Sequence, residues 1–158
     1  MSRTIRNAGG GRPGSTGVPG ADGKLRGMSV CPCGGIPAGA SYEQCCEPAL
    51  SNQRWPETAE ALMRSRYTAF ALGNQDHLFR TWHPSTRPSE VSADPSTEWL
   101  GLTIHETEAG QAKDESGVVE FTARYIAAGR GDSQHEVSLF RKRAGRWMYV
   151  AAMTDEEP

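Results

Sequence analysis

The sequence contains no run of about 18 apolar residues, so no segment of it reads as a membrane-spanning helix. Its first 27 residues hold no apolar core of the kind a secretory signal needs. The expected compartment is therefore the cytoplasm, where thiols stay reduced. No Cys-x-x-Cys pair is present. No Ser-His-Asp arrangement, catalytic carboxylate pair or phosphate-binding glycine loop is evident. A surplus of basic charge is missing too. The formal charge is −2, and residues 1–28 carry +4 through Arg3, Arg6, Arg12, Lys24 and Arg26 against Asp22, which leaves −6 for the rest. A net-acidic folded part argues against a general nucleic-acid binder, which wants a basic face.

What is present is concentrated. All four cysteines, Cys31, Cys33, Cys45 and Cys46, fall in one stretch. Pro32 fixes φ between the first two, and Gly34-Gly35 permit the reversal that turns both sulfurs to one point. Ser41-Tyr42-Glu43-Gln44 reads as a capping box, which places Cys45 and Cys46 just past the first turn of a short helix that Pro48 ends. A helix N-terminus favours thiolates. A disulfide between the neighbours Cys45 and Cys46 would be strained. The reading is one zinc per chain held by four thiolates, structural because no coordination position stays open. Reactive thiols, or thiols with neither role, are the alternatives.

The rest divides by composition. Residues 1–27 hold eight of the eighteen glycines and almost nothing apolar, so they read as a disordered tail. That tail is a linker, or an over-extended start preceding Met28-Ser29, rather than a basic arm for an acidic partner. Residues 28–50 form the zinc knuckle, 55–153 the main domain, and 154–158 a frayed acidic end. In the domain, Thr58 caps a helix whose Ala59, Leu62, Met63, Tyr67, Phe70 and Ala71 share a face. Gly73 ends it and Asn74 caps a second helix, Gln75 to Trp82, which buries Leu78, Phe79 and Trp82. After a proline-rich loop the period becomes two. Strands are expected at Trp99–Thr107 (Leu100, Leu102 and Ile104 on one face), Val118–Ala127, His135–Arg143 and Arg146–Ala152. A helical hairpin packed on a curved antiparallel sheet is an α+β plan.

Cys-Pro-Cys-Gly followed by Cys-Cys resembles the SEC-C zinc motif of the SecA translocation ATPase. Ala59–Tyr67, Thr81-Trp82-His83-Pro84, Trp99-Leu100-Gly101-Leu102 and Gly145-Arg146-Trp147 resemble the bacterial YchJ-like family. The resemblance runs from about Met28 to Val150 and implies a SEC-C motif joined to a cone of the nuclear-transport-factor-2-like fold. Two departures stand out. Ile36-Pro37-Ala38 looks like an insertion that loosens the knuckle, and Ala151-Ala152 stands where relatives often show Asp-Gly.

The resemblance implies an interaction protein, because the similar motif in SecA contacts chaperone and ribosome partners. A protein partner is thus expected through the knuckle, and nucleic acid and membrane are not. An open sheet face would allow a homodimer. The second reading puts a small ligand, or acid/base chemistry, in the concave pocket of the cone. Its candidate polar groups are Arg64, Arg66 and His83 first, then Asp76, His105, His135 and Glu136. Neighbours on a strand face opposite ways, so His135 and Glu136 should not act on one atom together. The residues argue against an enzyme without excluding one.

Overall fold

Caps decide where the helices begin. In the computed structural model, which describes residues 30–153, Thr58 accepts a hydrogen bond from Ala61 N–H at 3.0 Å and starts a long helix. The expectations for residues 1–27, Met28 and residues 154–158 lie outside the described residues. We number the helices α1 (Glu47–Leu50), α2 (Ala59–Leu72) and α3 (Gln75–Arg80). Gly73 ends α2 in the left-handed region at φ 77°, where an L side chain would be strained. Asn74 follows at once and caps α3 by accepting from His77 N–H at 2.9 Å. Two adjacent residues with opposite capping chemistry therefore make the helical hairpin.

The strands are β1 (Glu98–Ala109), β2 (Ser116–Ala127), β3 (Arg130–Arg143) and β4 (Arg146–Met153). They pair in chain order as an antiparallel meander. The fold is α+β, with the hairpin on one face of this sheet. Val119, Phe121 and Ala123 of β2 point at the helices, as alternation requires. Phe140 of β3 and Trp147 of β4 join them. Irregularities at Trp99/Gly101, Ile104/Glu106 and Leu139/Phe140 break the ladders, and such bulges bend strands. One of them corrects the sequence pattern. The bulge at Trp99/Gly101 turns Trp99 towards the core and leaves Leu100 exposed, while Leu102 and Ile104 keep the inner face. The free edge of β4 is covered. Tyr149 N–H donates to Thr81 O at 2.9 Å, and His83 N–H donates to Tyr149 O at 2.8 Å.

Three helix details differ from the pattern. The turn capped by Ser41 exists, with Gln44 N–H donating to Ser41 Oγ at 3.3 Å, but it does not run into a helix. Cys46 is itself the N-cap of α1, and Pro48 sits in that helix's first turn rather than ending it. Proline is tolerated there because its missing N–H would have no intrahelical partner. The second long-domain helix stops at Arg80, Phe79 is exposed, and His77 takes the buried place beside Leu78. The reason is polar. His77 is held between Ser65 and Arg80, so the helix turns that side inward. Finally, α2 is buried on more than the one apolar face. Ser65, Arg66 and Thr68 are buried as well, because the knuckle packs on one side and the sheet on the other.

Candidate metal centre and cone cavity

The four cysteines converge. Their sulfurs all lie within 4.8 Å of one another. Cys33 and Cys45 are 3.6 Å apart, Cys33 and Cys46 3.7 Å, and Cys45 and Cys46 3.9 Å. Four sulfurs at about 2.3 Å from one zinc, at tetrahedral corners, stand about 3.8 Å apart. Cys33, Cys45 and Cys46 stand at that spacing, and Cys31 lies within 4.8 Å of them, so the donor set suits a tetrahedral thiophilic ion. Cys31, Cys33 and Cys46 are buried and Cys45 is half-buried.

Local structure explains the convergence. Gly34 and Gly35 have φ of 96° and 92°, so the chain reverses directly after Cys33. Gly35 N–H then donates to Cys33 Sγ at 3.3 Å, a bond that favours the thiolate. The expected loosening by Ile36-Pro37-Ala38 is not what the loop does. It closes on itself, with Gly39 N–H to Gly34 O at 2.9 Å and Ala40 N–H to Pro37 O at 2.9 Å. Cys31 N–H donates to Ala40 O at 2.8 Å, and Val30 bridges Ser41, so both cysteine pairs are stapled at the base. The neighbouring thiols, Cys31 foremost, hold Cys33 and Cys45 below the ordinary thiol value. Cys31 and Cys46 are pushed above it, chiefly by Cys33 and by Cys31 respectively. A bound dication favours the thiolate at all four.

The helix behind the knuckle supplies an outer layer that sequence reasoning missed. Thr68 Oγ1 of α2 donates to Cys46 Sγ at 3.3 Å and lies 3.8 Å from Cys31 Sγ. Arg64 Nη1 donates to Cys33 O at 2.7 Å, while its Nε pairs with Glu60 at 2.9 Å. From α3, Arg80 Nη2 reaches Ala49 O and Leu50 O and caps the carbonyl end of α1. The helical spacing of Arg64, Ser65 and Thr68 signals one shared face, but nothing local says the cysteines cover it.

The three residues grouped as one pocket do not stay together. Arg64 serves the knuckle. Arg66, two residues on and thus about 200° round the helix, faces a cavity between the hairpin and the sheet. His83 lies outside that cavity, with its Nδ1 accepting from Ser85. His105 and His135 are on the exposed sheet face, bonded to Thr122 and Glu120. Asp76 pairs with Arg80. Glu136 does line the cavity, which confirms that it and His135 face opposite ways.

Chain comparisons give the domain its relatives. Residues 58–152 match the family described as YchJ, middle NTF2-like domain. A UPF0225 protein of Chromobacterium violaceum is 44% identical over 134 residues, covering 82% of this chain and 96% of the relative. The chain belongs to the YchJ-like family. A UPF0225 protein of Streptomyces coelicolor is 46% identical over 120 residues, covering 76% of this chain and 91% of the relative. Among solved structures, a SEC-C motif containing protein from Rhodopseudomonas palustris is 34% identical. Its TM-score is 0.68, with 80% of this chain and 99% of that one covered. A SEC-C motif containing protein from Psychrobacter arcticus, 23% identical with a TM-score of 0.65, covers 85% of this chain and 90% of its own, and shares the fold.

Proposed function

We propose that this chain is a zinc-binding interaction protein whose knuckle docks a protein partner without catalysing a reaction. The observation that carries this reading is the closed sulfur cluster: four cysteine sulfurs, all within 4.8 Å of one another, offer four thiolate ligands and would leave no open position on a zinc ion. A metal so enclosed cannot activate water or polarise a substrate, and it contributes folding energy instead. That energy matters because a stretch as short as 30–50 has little core of its own.

What the metal would hold in place is a small rigid surface. Val30 and Ile36 stand exposed beside the buried sulfurs. Thr68 and Arg64 tie that surface to α2, so it is presented without the entropy cost of a loose loop. Zinc suits an all-thiolate tetrahedron better than a harder cation does.

The test has two arms. Elemental analysis of chain purified without chelator under reducing conditions is expected to give about one zinc per chain. Partner capture is then compared among wild type, Cys45→Ser and Val30→Asp/Ile36→Asp. The double surface variant should keep its zinc and lose the partner. If it captures the same protein as wild type, recognition does not run through the knuckle.

A further inference from the structure

The cavity beneath the hairpin has a volume of about 270 Å³. That is well above the roughly 150 Å³ of an engineered apolar cavity that binds benzene. Its walls are mostly aromatic, with Tyr67, Phe70, Trp99 and Phe121 on the apolar side. Two charged groups enter it, Arg66 from α2 and Glu136 from β3. Their hydrogen-bonding states differ, and that difference tells what the cavity lacks.

Glu136 is already well served. Its Oε2 accepts from Ser138 Oγ at 2.6 Å and from Tyr149 Oη at 3.0 Å, and its Oε1 accepts from Gln134 Nε2 at 2.9 Å. Arg66 is not. Its side chain is almost wholly buried, and among the described residues no carboxylate forms an ion pair with it, Glu136 acting on its charge only from beyond ion-pair distance. Both hydrogen bonds it makes among those residues leave from Nη1, to Leu78 O at 2.9 Å and to Thr81 Oγ1 at 2.7 Å. A guanidinium has five N–H donors, and the three on Nε and Nη2 make no hydrogen bond among the described residues. The rings of Trp82 and Tyr149 hold the group at 5.1 and 4.6 Å from their centroids, which fixes its plane. A second lining residue, Trp82, has an indole Nε1 with no partner. Buried charges are normally paired. The unused capacity here is donor capacity beside an aromatic wall.

We propose that this cavity binds a small planar organic acid, its carboxylate on the free edge of Arg66 and its apolar ring against Trp99 and Phe121. Burial lowers the Arg66 pKa to about 10 even though Tyr149 and Glu136 oppose the shift, and a bound carboxylate would add to that opposition. The shape and the charge then select together. A planar cation would meet Arg66 with like charge, and the Glu136 oxygens already accept three hydrogen bonds, although its charge remains. A neutral ring would fill the space and leave the donors unmet.

The probes are benzoate, benzamidine and toluene, each titrated into the full zinc-loaded chain labelled with ¹⁵N. Benzoate should bind saturably and shift the indole signals of Trp82 and Trp99 while the amides of residues 31–46 stay still. Benzamidine should not bind, and toluene should bind more weakly than benzoate. Arg66→Met should weaken benzoate about tenfold or more, as loss of a charge-assisted pair implies. Because that variant removes a buried hydrogen-bonding group, Ala123→Leu is a second arm. It fills the cavity from β2, leaves Arg66 in place, and should also abolish benzoate binding. The proposal is overturned if benzamidine binds as well as benzoate. It is equally overturned if folded Ala123→Leu binds benzoate like wild type, or if none of the three probes shifts the indoles at millimolar concentration.

Discussion

The Thr68 hydroxyl donates to Cys46 Sγ at 3.3 Å, and this bond joins the longest described helix to the cysteine cluster. Thr68 is fully buried, so water cannot substitute for it. Partners one layer out from a metal orient its ligands and typically account for about 10–100-fold in affinity. Thr68→Val keeps the shape and removes the donor. Zinc affinity by competition with a chromophoric chelator is expected to fall by about that factor, with little change in helix content. Unchanged affinity would mean the bond does not tune the site.

Gly35 leads to a second prediction. A Cβ built there would meet Ala40 N at 2.5 Å and Gly39 N at 2.9 Å, and its φ is 92°. Both atoms are backbone of the closed loop, so neither can swing away. Gly35→Ala should therefore cost about 1–3 kcal/mol of knuckle stability through strain alone. The expected readout is faster zinc release to chelator, with the strand signals of residues 98–153 unmoved. Gly39→Ala is the control with space: its Cβ meets nothing within 4 Å, although its φ of 89° carries strain of its own. The difference between the two reports the clash.

How far the sequence shows this architecture depends on how local each feature is. Thr58, Gly73 and Asn74 act on their own neighbours, so the hairpin was legible from them. The four strands were legible because alternation is a property of one segment. Bulges are not. Leu100 alternates correctly with Leu102, and only pairing with β2 turns it outward. The cysteine cluster was legible because its chemistry is rare. Its support was not, since Thr68 and Ser65 look like ordinary helix residues until the segments they meet are placed. Arg64 and Arg66 could have been separated by helical geometry alone. Their partners could not, because Cys33 O is 31 positions away and the ring of Tyr149 belongs to the last strand.

Cys45→Ser probes whether knuckle and domain are one cooperative unit. The buried cluster that contains Cys31, Cys33 and Cys46 also contains Leu62, Met63 and Tyr67 of α2. Losing the metal should thus expose one side of that helix as well as unfold the knuckle. The expected result is less than stoichiometric zinc, a retained strand signature and a thermal midpoint several degrees lower. A midpoint equal to wild type would show that the domain stands without its knuckle.

His77 carries the last prediction, because it is buried and neutral. Its Nδ1 accepts from Arg80 Nη2 at 3.2 Å, so its Nε2 holds the proton and donates to Ser65 Oγ at 2.9 Å. Ser65 in turn donates to Leu62 O at 2.7 Å, which completes a chain with no place for a second imidazole proton. Burial, then the charges of Arg80 and Arg66, pull its pKa down from 6.5 to about 3. The unfolded chain therefore binds a proton that the folded chain refuses. Stability is fully present above the unfolded value of about 6.5 and is lost as pH falls towards about 3. The full loss is on the order of 5 kcal/mol. His77→Gln can still donate to Ser65 but cannot charge. Denaturant unfolding from pH 7.5 to 4.5 should show wild type losing stability faster than His77→Gln as the pH drops. Thiolate protonation and zinc release act on both proteins alike, so the difference between the two curves isolates the imidazole. Parallel curves across that range would show that His77 accepts its proton in the fold.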